Sequence, residues 1–252
     1  MLKTKRIKQI QDYIIEHNTV SLDELVAVFD VSKNTIRRDI QELVEGGEVK
    51  KVYGGVAAVN PPLISFNDRR SRGHAEKQRI AKAAAEYVAD GDIIYIDSGT
   101  TTLEMIEYIK HMNLTIITSN LDFILGSLPY GNLNIISTGG VLERKTKSFA
   151  SFKNMDLLKA YNINKAFMAS TGISIFSGVT NSSPLESEIK QIVVERCQEV
   201  FLLVDHHKFG RHALMTYCKL QDIDYLVTDS MPGTDYQQFA GENGIKLVIA
   251  GE

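Results

Sequence analysis

At 252 residues, 44% hydrophobic and 23% charged, the chain suits one large or two ordinary globular domains and is too apolar for a disordered polymer. Its formal net charge of −3 excludes nucleic-acid binding by bulk positive charge. Residues 1–60 carry nine Lys/Arg against nine Asp/Glu, so any such function must rest on local arrangement.

The first sixty residues predict three helices and a hairpin. Ile7, Ile10, Ile14 and Ile15 fall at helical spacing, with Thr4 as the expected N-cap. In "SLDE", Ser21 and Glu24 form a capping box, and Leu22, Leu25, Val26 and Phe29 then make one apolar face. Ser32 caps a third helix whose Ile36, Ile40, Leu43 and Val44 cluster on one side. At about 100° per residue, Asn34, Arg38 and Gln41 point away from that cluster, while Lys33 and Arg37 lie on its flank. "EGG" at 45–47 ends the helix, and "EVKKVYGGVAAV" reads as a hairpin turning at Gly54-Gly55.

That order is a winged helix-turn-helix. A duplex major groove admits one helix; Arg then offers a fork to guanine, and Asn or Gln a matched pair to adenine. Ser32, Thr35 and the helix N-terminus can hold phosphate, and Lys50, Lys51 and Tyr53 of the hairpin can reach the backbone beside it. Charge on a solvated helix face alone would not carry this reading; the sequence of caps, apolar faces and hairpin does, and the expected partner is double-stranded operator DNA.

"NPPLISFNDRRSRGHAEK" follows, with two prolines and the cations Arg69, Arg70 and Arg72. The expected domains are 1–59 and 74–252, with a linker over 60–73 whose arginines either touch DNA backbone or line a solvated hinge. After a helix bearing Ile80, Ala84 and Val88, seven β-rich runs alternate with helical stretches: 92–96, 114–118, 133–137, 165–169, 199–204, 224–228 and 246–250. Such alternation predicts an α/β domain with a mostly parallel sheet.

The loops after these strands hold the polar chemistry. In "IDSGTTTLEMI", Gly99 lets backbone approach a ligand, Ser98, Thr100, Thr101 and Thr102 supply hydroxyls, and the following helix start favours an anion such as phosphate. Asp97 would repel phosphate but can accept from sugar hydroxyls. Thr118 and Asn120, the pair Gly139-Gly140, and Asp205 with Lys208 stand at other strand ends, where ligands of open α/β sheets gather. Each loop alone is also an ordinary turn. Glu186 and Lys190, four apart, read as a surface pair. His206, His207 and His212 lack the accompanying carboxylate cluster a metal would want, so neither metal nor cofactor is expected. Cys197 and Cys218 are too few for a disulfide framework, the N-terminus lacks a signal-peptide core, and no apolar run reaches about 18 residues; a reducing cytoplasm is expected.

The run "LDELVAVFDVSKNTIRRDIQELVEGGEVKKVYGGVAA", with "VSxxTIRRDxxxL" at its centre, resembles the DNA-binding region of DeoR-family bacterial transcription regulators. Val26 stands where that family usually has alanine, and Tyr53 where histidine is expected. "DSGTTT", "TSN", "STGG", "GVT" and "VDHHKFG" resemble the family's effector domain in the same order, with Ser151 where glycine is expected. The resemblance implies a ribose-5-phosphate-isomerase-like α/β effector domain and a repressor of a sugar or polyol operon, released by a phosphorylated sugar. It implies that Asp97, Ser98, Gly99, Thr100, Thr101 and Thr102 form the phosphate and sugar loop, with Asn120, Gly140 and Lys208 around it. Self-association as a dimer or tetramer would present two recognition helices to spaced half-sites. The competing class is a sugar-phosphate isomerase or deaminase using Asp97, Glu186, Lys190 and Lys208, which fold analogy alone cannot support and for which residues 1–60 have no use. An RNA-binding module fits poorly, because one helix with a wing suits B-form better than A-form grooves.

Overall fold

The computed structural model describes residues 3–17, 19–52, 55–59, 65–151 and 155–251, and the chain divides between Ile64 and Ser65 into two compact units. The first unit contains α1 (Lys3–His17), β1 (Thr19–Val20), α2 (Leu22–Phe29), α3 (Lys33–Glu45), β2 (Val49–Val52) and β3 (Gly55–Ala58). The hairpin of β2 and β3 gains β1 as a third antiparallel strand, in the order β1-β3-β2. Ser21 and Ser32 cap α2 and α3, their hydroxyls accepting from the amides of Glu24 and Thr35 at 3.0 and 3.2 Å. This satisfies donors that the helix itself leaves open.

Three details differ from expectation. Helix α1 already begins at Lys3, so Thr4 lies inside it and is not its cap. Glu24 reaches across to α1, where it accepts from the Tyr13 hydroxyl at 3.1 Å. Asp39 is buried beside Ile36, Ile40 and Leu43, and the cost of burying its charge is offset by the Arg6 guanidinium at 2.6 Å. The hairpin turn at Tyr53 and Gly54 lies outside the described residues.

The second unit runs α4 (Phe66–Ser71), α5 (His74–Ala85), β4 (Ile93–Ile96), α6 (Thr100–Leu103), α7 (Ile106–Ile109), β5 (Leu114–Thr118), α8 (Leu121–Ser127) and β6 (Leu133–Ser137). It continues with β7 (Val141–Glu143), β8 (Ser148–Ala150), α9 (Met155–Ala160), β9 (Lys165–Ala169), β10 (Gly172–Ser174), β11 (Gly178–Asn181) and α10 (Pro184–Arg196). Last come β12 (Glu199–Leu203), β13 (Met215–Cys218), β14 (Tyr225–Thr228), α11 (Thr234–Asn243) and β15 (Lys246–Ile249). All seven expected strands form one parallel sheet, ordered β15-β14-β12-β9-β4-β5-β6. Alternate side chains feed two apolar layers: Ile94 and Ile96 pack with α5 on one face, while Tyr95 and Met168 pack with α10 on the other. Phe167, Phe201 and Tyr225 stack across three adjacent strands at 4.9 and 4.1 Å.

The chain moves outward from β4 to β6, returns beside β4 as β9, and then moves outward the other way. The strand order therefore reverses between β4 and β9, where the strand ends splay apart and leave a crevice. A second, antiparallel sheet, β10-β11-β13, was not anticipated and stands over this point. The expected linker also needs correction over 65–73. Phe66 of α4 is fully buried in the core of the second unit, and its amide donates to Lys145 O at 2.9 Å. Residues 60–64 lie outside the described ones. Among the described residues, no helix is long and apolar enough to cross a membrane.

Candidate DNA-reading face and effector crevice

In the first unit, burial of Ile36, Ile40 and Leu43 turns the opposite side of α3 outward. Ser32, Lys33, Asn34, Arg37, Arg38 and Gln41 are exposed, as are Lys50 and Lys51 of β2; Thr35 is half-buried. Of these, Lys33, Arg37, Arg38, Gln41 and Lys51 border a shallow groove shared by α2, α3 and the hairpin. Lys33 is partly neutralised by Asp23 at 2.5 Å. Gln41 is held between Lys51 and Glu45, accepting from the first at 2.9 Å and donating to the second at 2.8 Å. Tyr53, the remaining expected contact, lies outside the described residues.

In the second unit, the end of β4 meets the end of β9. Asp97 Oδ2 accepts from the Lys190 ammonium at 2.6 Å and from the Ala169 amide at 2.9 Å, both fully enclosed. Lys190 also donates to Ala169 O at 2.9 Å, and the Tyr217 hydroxyl to the same oxygen at 3.0 Å. Glu186 and Lys190 are therefore not a surface pair: both are buried, one turn apart on α10, and face the crevice. Glu186 accepts from Ser148 at 2.5 Å and Asn181 at 3.0 Å. Desolvation pushes the Glu186 carboxyl up, but Lys190 and the hydrogen bonds from Ser148, Asn181 and Thr146 outweigh it and hold it below the usual carboxylate range.

The glycine-threonine loop divides into two roles. Ser98 and Gly99 line the crevice. Thr102 instead turns its hydroxyl back to Asp97 O and Gly99 O, at 2.7 and 3.0 Å. Asn120 caps α8 by accepting from Phe123 N at 3.1 Å and donates to Gly99 O at 3.3 Å. Thr100 and Thr101 are buried. A Cβ on Gly99 would lie 2.4 Å from Ala169 Cβ, so glycine is required by the approach of β9. Gly140, at φ +111°, would likewise meet Ala150 O at 2.5 Å. Asp97, Thr102 and Asn120 thus hold the crevice loop and do not line the crevice themselves, Gly140 packs against Ala150 and Ser151, and the Asp97 oxygen expected to meet sugar hydroxyls is engaged with Lys190.

Sequence reasoning missed the residue facing that loop. Arg69, assigned to the linker, extends from α4 into the crevice wall beside Ser98, Gly99 and Ser170. Its Nη2 is buried with no hydrogen-bond partner among the described residues, as is Ser170 Oγ. Burial lowers the Arg69 pKa, while Glu186 and Asp97 oppose that shift. Lys77 of α5 donates to the carbonyls of Arg69 and Arg72, and burial brings it down to about 8. Lys208 stands half-buried in a 3-10 turn (His206–Lys208) outside the crevice wall. Desolvation lowers it first, Asp205 opposes, and the charges of Arg69, Arg211 and Arg72 lower it further. His206 pairs with Asp229 at 2.6 Å. Among the described residues, no group of three or more His, Cys, Asp or Glu is placed to hold a metal. The only sequence signal for Arg69 was the arginine cluster itself, whose helix is too short to display a periodicity.

Comparison with known proteins finds the same division of the chain. A DeoR-like helix-turn-helix domain matches residues 6–61, and the DeoR C terminal sensor domain matches residues 72–230. The HTH-type transcriptional regulator IolR of Bacillus subtilis (strain 168) is 42% identical over 99% of this chain and 100% of its own. The glycerol-3-phosphate regulon repressor of Escherichia coli (strain K12) is 30% identical over 99% and 100%. Among solved structures, a D-ribose-5-phosphate isomerase in complex with phospho-erythronic acid aligns with TM-score 0.41 and 15% identity over 54% of each chain, an overlap too partial to bear on function. The relatives of high coverage are regulators and not enzymes. With a DNA-reading unit and a sensor unit matched in the order the structure presents them, this chain belongs to the DeoR family of transcriptional regulators.

Proposed function

We propose that the protein represses an operon of sugar or polyol use and leaves its operator when a phosphorylated sugar or polyol occupies the switch-point crevice. One observation carries the ligand class: a buried arginine nitrogen without a hydrogen-bond partner among the described residues faces a serine-glycine loop at the point where strand order reverses. A phosphate would satisfy Arg69 and the hydroxyl of Ser98, with the amides from Gly99 to Thr102 behind it and Lys77 and Lys208 adding positive potential. Asn181 and Ser170 would meet the ligand's hydroxyls. The name of the Escherichia coli relative, a glycerol-3-phosphate regulon repressor, supports this ligand class.

On the DNA side, Asn34, Arg38 and Gln41 would read base edges, and Ser32, Lys33, Thr35, Arg37, Lys50 and Lys51 would hold phosphates. Self-association would place two such faces on spaced half-sites. The effector would act by binding one arrangement of the assembly better than another. An isomerase reading is disfavoured because Asp97 is tied to Lys190, and both oxygens of Glu186 already accept hydrogen bonds.

The test is titration of labelled operator with the full-length protein at fixed salt, with phosphorylated sugars and polyols and their unphosphorylated counterparts. Tight operator binding weakened by a phosphorylated compound alone is expected. Operator affinity indifferent to the whole panel would overturn the effector assignment, and equal affinity for scrambled duplex would overturn operator reading.

A further inference from the structure

The crevice has about 20 Å³ of free space, room for one water and not for a sugar phosphate. The crevice opens to solvent on one side, so a phosphate can reach its mouth, but seating it fully between Arg69 and Gly99 needs part of the wall to yield. Most of the wall is tied down: Lys190 by Asp97 and Ala169, Glu186 by Ser148 and Asn181, and the loop at Gly99 by Thr102 and Asn120. Arg69 differs. It comes from a six-residue helix, and its buried Nη2 has no hydrogen-bond partner among the described residues, so displacing it breaks no hydrogen bond there and gives up a place 5.5 Å from the centroid of the Phe66 ring.

We propose that Arg69 is both the anion ligand and the movable wall of the effector site, so that an entering phosphate repositions α4, the first element after the chain crosses from one unit to the other. This rests on the reading of the crevice as a phosphorylated-effector site. The negative charges of Glu186 and Asp97 favour the charged guanidinium against the effect of burial. A phosphate offers it two oxygens and full charge, which Asp97, engaged with Lys190, does not. Among the described residues, helix α4 is held to its unit by Phe66 in the core with Lys147 over its ring, the Phe66 amide on Lys145, Arg70 paired with the buried Glu104 at 3.7 Å, and Lys77 on the carbonyls of Arg69 and Arg72. Lys77 is itself a cation that the incoming anion attracts. Phosphate therefore acts on the Arg69 side chain and on the clamp at the end of its helix together. The chain enters α4 directly from residues 60–64, so effector occupancy acts on the segment that leads to the DNA-reading unit.

The experiment compares full-length wild type, Arg69→Gln and Arg69→Lys. Calorimetric titration uses glycerol 3-phosphate, ribose 5-phosphate, fructose 6-phosphate and inorganic phosphate, with glycerol and ribose as uncharged controls. Amide hydrogen exchange over residues 66–72 is followed with and without the best-binding phosphorylated compound. That compound should bind Arg69→Gln about ten- to a hundredfold more weakly, the range for losing hydrogen bonds to a charged group, and Arg69→Lys should recover part of the loss. Ligand should change exchange over 66–72 in wild type and fail to do so in Arg69→Gln. If Arg69→Gln does not fold, Arg69→Lys decides, since its ammonium cannot reproduce the fork and must still bind several-fold more weakly. Equal binding by wild type and a folded variant, or exchange over 66–72 indifferent to bound ligand, overturns the role of Arg69 and leaves the effector site standing. Wild type that binds none of the phosphorylated compounds overturns both.

Discussion

Two polar regions of this molecule are built in opposite ways. On α3 the side chains proposed to read DNA are exposed, and the apolar residues that hold the helix lie on its other face. Around the crevice, Asp97, Glu186, Lys190, Thr102 and Asn120 are themselves buried, and most of their hydrogen bonds go to one another or to backbone. The DNA-reading face can therefore be altered without touching the core. The crevice cannot, because the residues that shape it also hold the sheet together at its switch point.

The largest expected consequence of that difference is at Asp97. Replacing it with alanine leaves the Lys190 ammonium buried without its carboxylate and removes an acceptor from the Ala169 amide. The second unit should lose about 3–5 kcal/mol in chemical denaturation. A loss below about 1 kcal/mol, the range of a surface pair, would break the contrast. Gly99→Ala comes next: its Cβ would collide with Ala169, and denaturation should report about 1–3 kcal/mol from overpacking. A stable Gly99→Ala protein would mean that the loop and β9 are not locked together.

On the exposed face the cost should appear in DNA binding instead. Arg38→Ala should weaken operator binding by about 1–3 kcal/mol if it reads a base pair, with its melting temperature unchanged and scrambled-duplex affinity little altered. Unchanged operator affinity in this folded variant would remove Arg38 from the reading set. The smallest effect sharpens the boundary between the two regions. Ser32 is exposed but caps α3, so Ser32→Ala should cost about 1 kcal/mol in unfolding of the first unit as well as any phosphate contact.

The same contrast explains what could be read from the sequence. The winged unit was legible almost throughout, because an amphipathic helix separates core from function on a period of 3.6, and Ser21 and Ser32 mark its starts. The seven buried strands were equally plain as runs of β-branched residues, but their order in the sheet, which places the crevice between β4 and β9, was not. The chemistry inside it was only half legible. "DSGTTT" marks the right loop, but sequence cannot tell a hydroxyl facing ligand, as at Ser98, from one folded back on its own carbonyls, as at Thr102. The spacing of Glu186 and Lys190 suits a surface pair as well as a buried one; their burial follows from β10-β11-β13, whose strands of three or four residues leave almost no alternation to detect. Arg69 escaped because α4 is shorter than two turns, and its one apolar anchor, Phe66, sits among prolines and arginines that read as linker. Asp39 is the mirror case, a charge on an apolar helix face whose partner, Arg6, lies 33 residues away.

The central claim is that an exposed face and a buried crevice, in different units, bind operator and effector in competition. Linkage makes that claim testable on wild-type protein alone, because a coupling between two binding sites must be the same in both directions. The measurement is effector affinity of the full-length protein, free and saturated with operator duplex, at one salt concentration. The account predicts that operator weakens effector binding by the same factor by which effector weakens operator binding. Effector affinity that is identical with and without bound operator would contradict it.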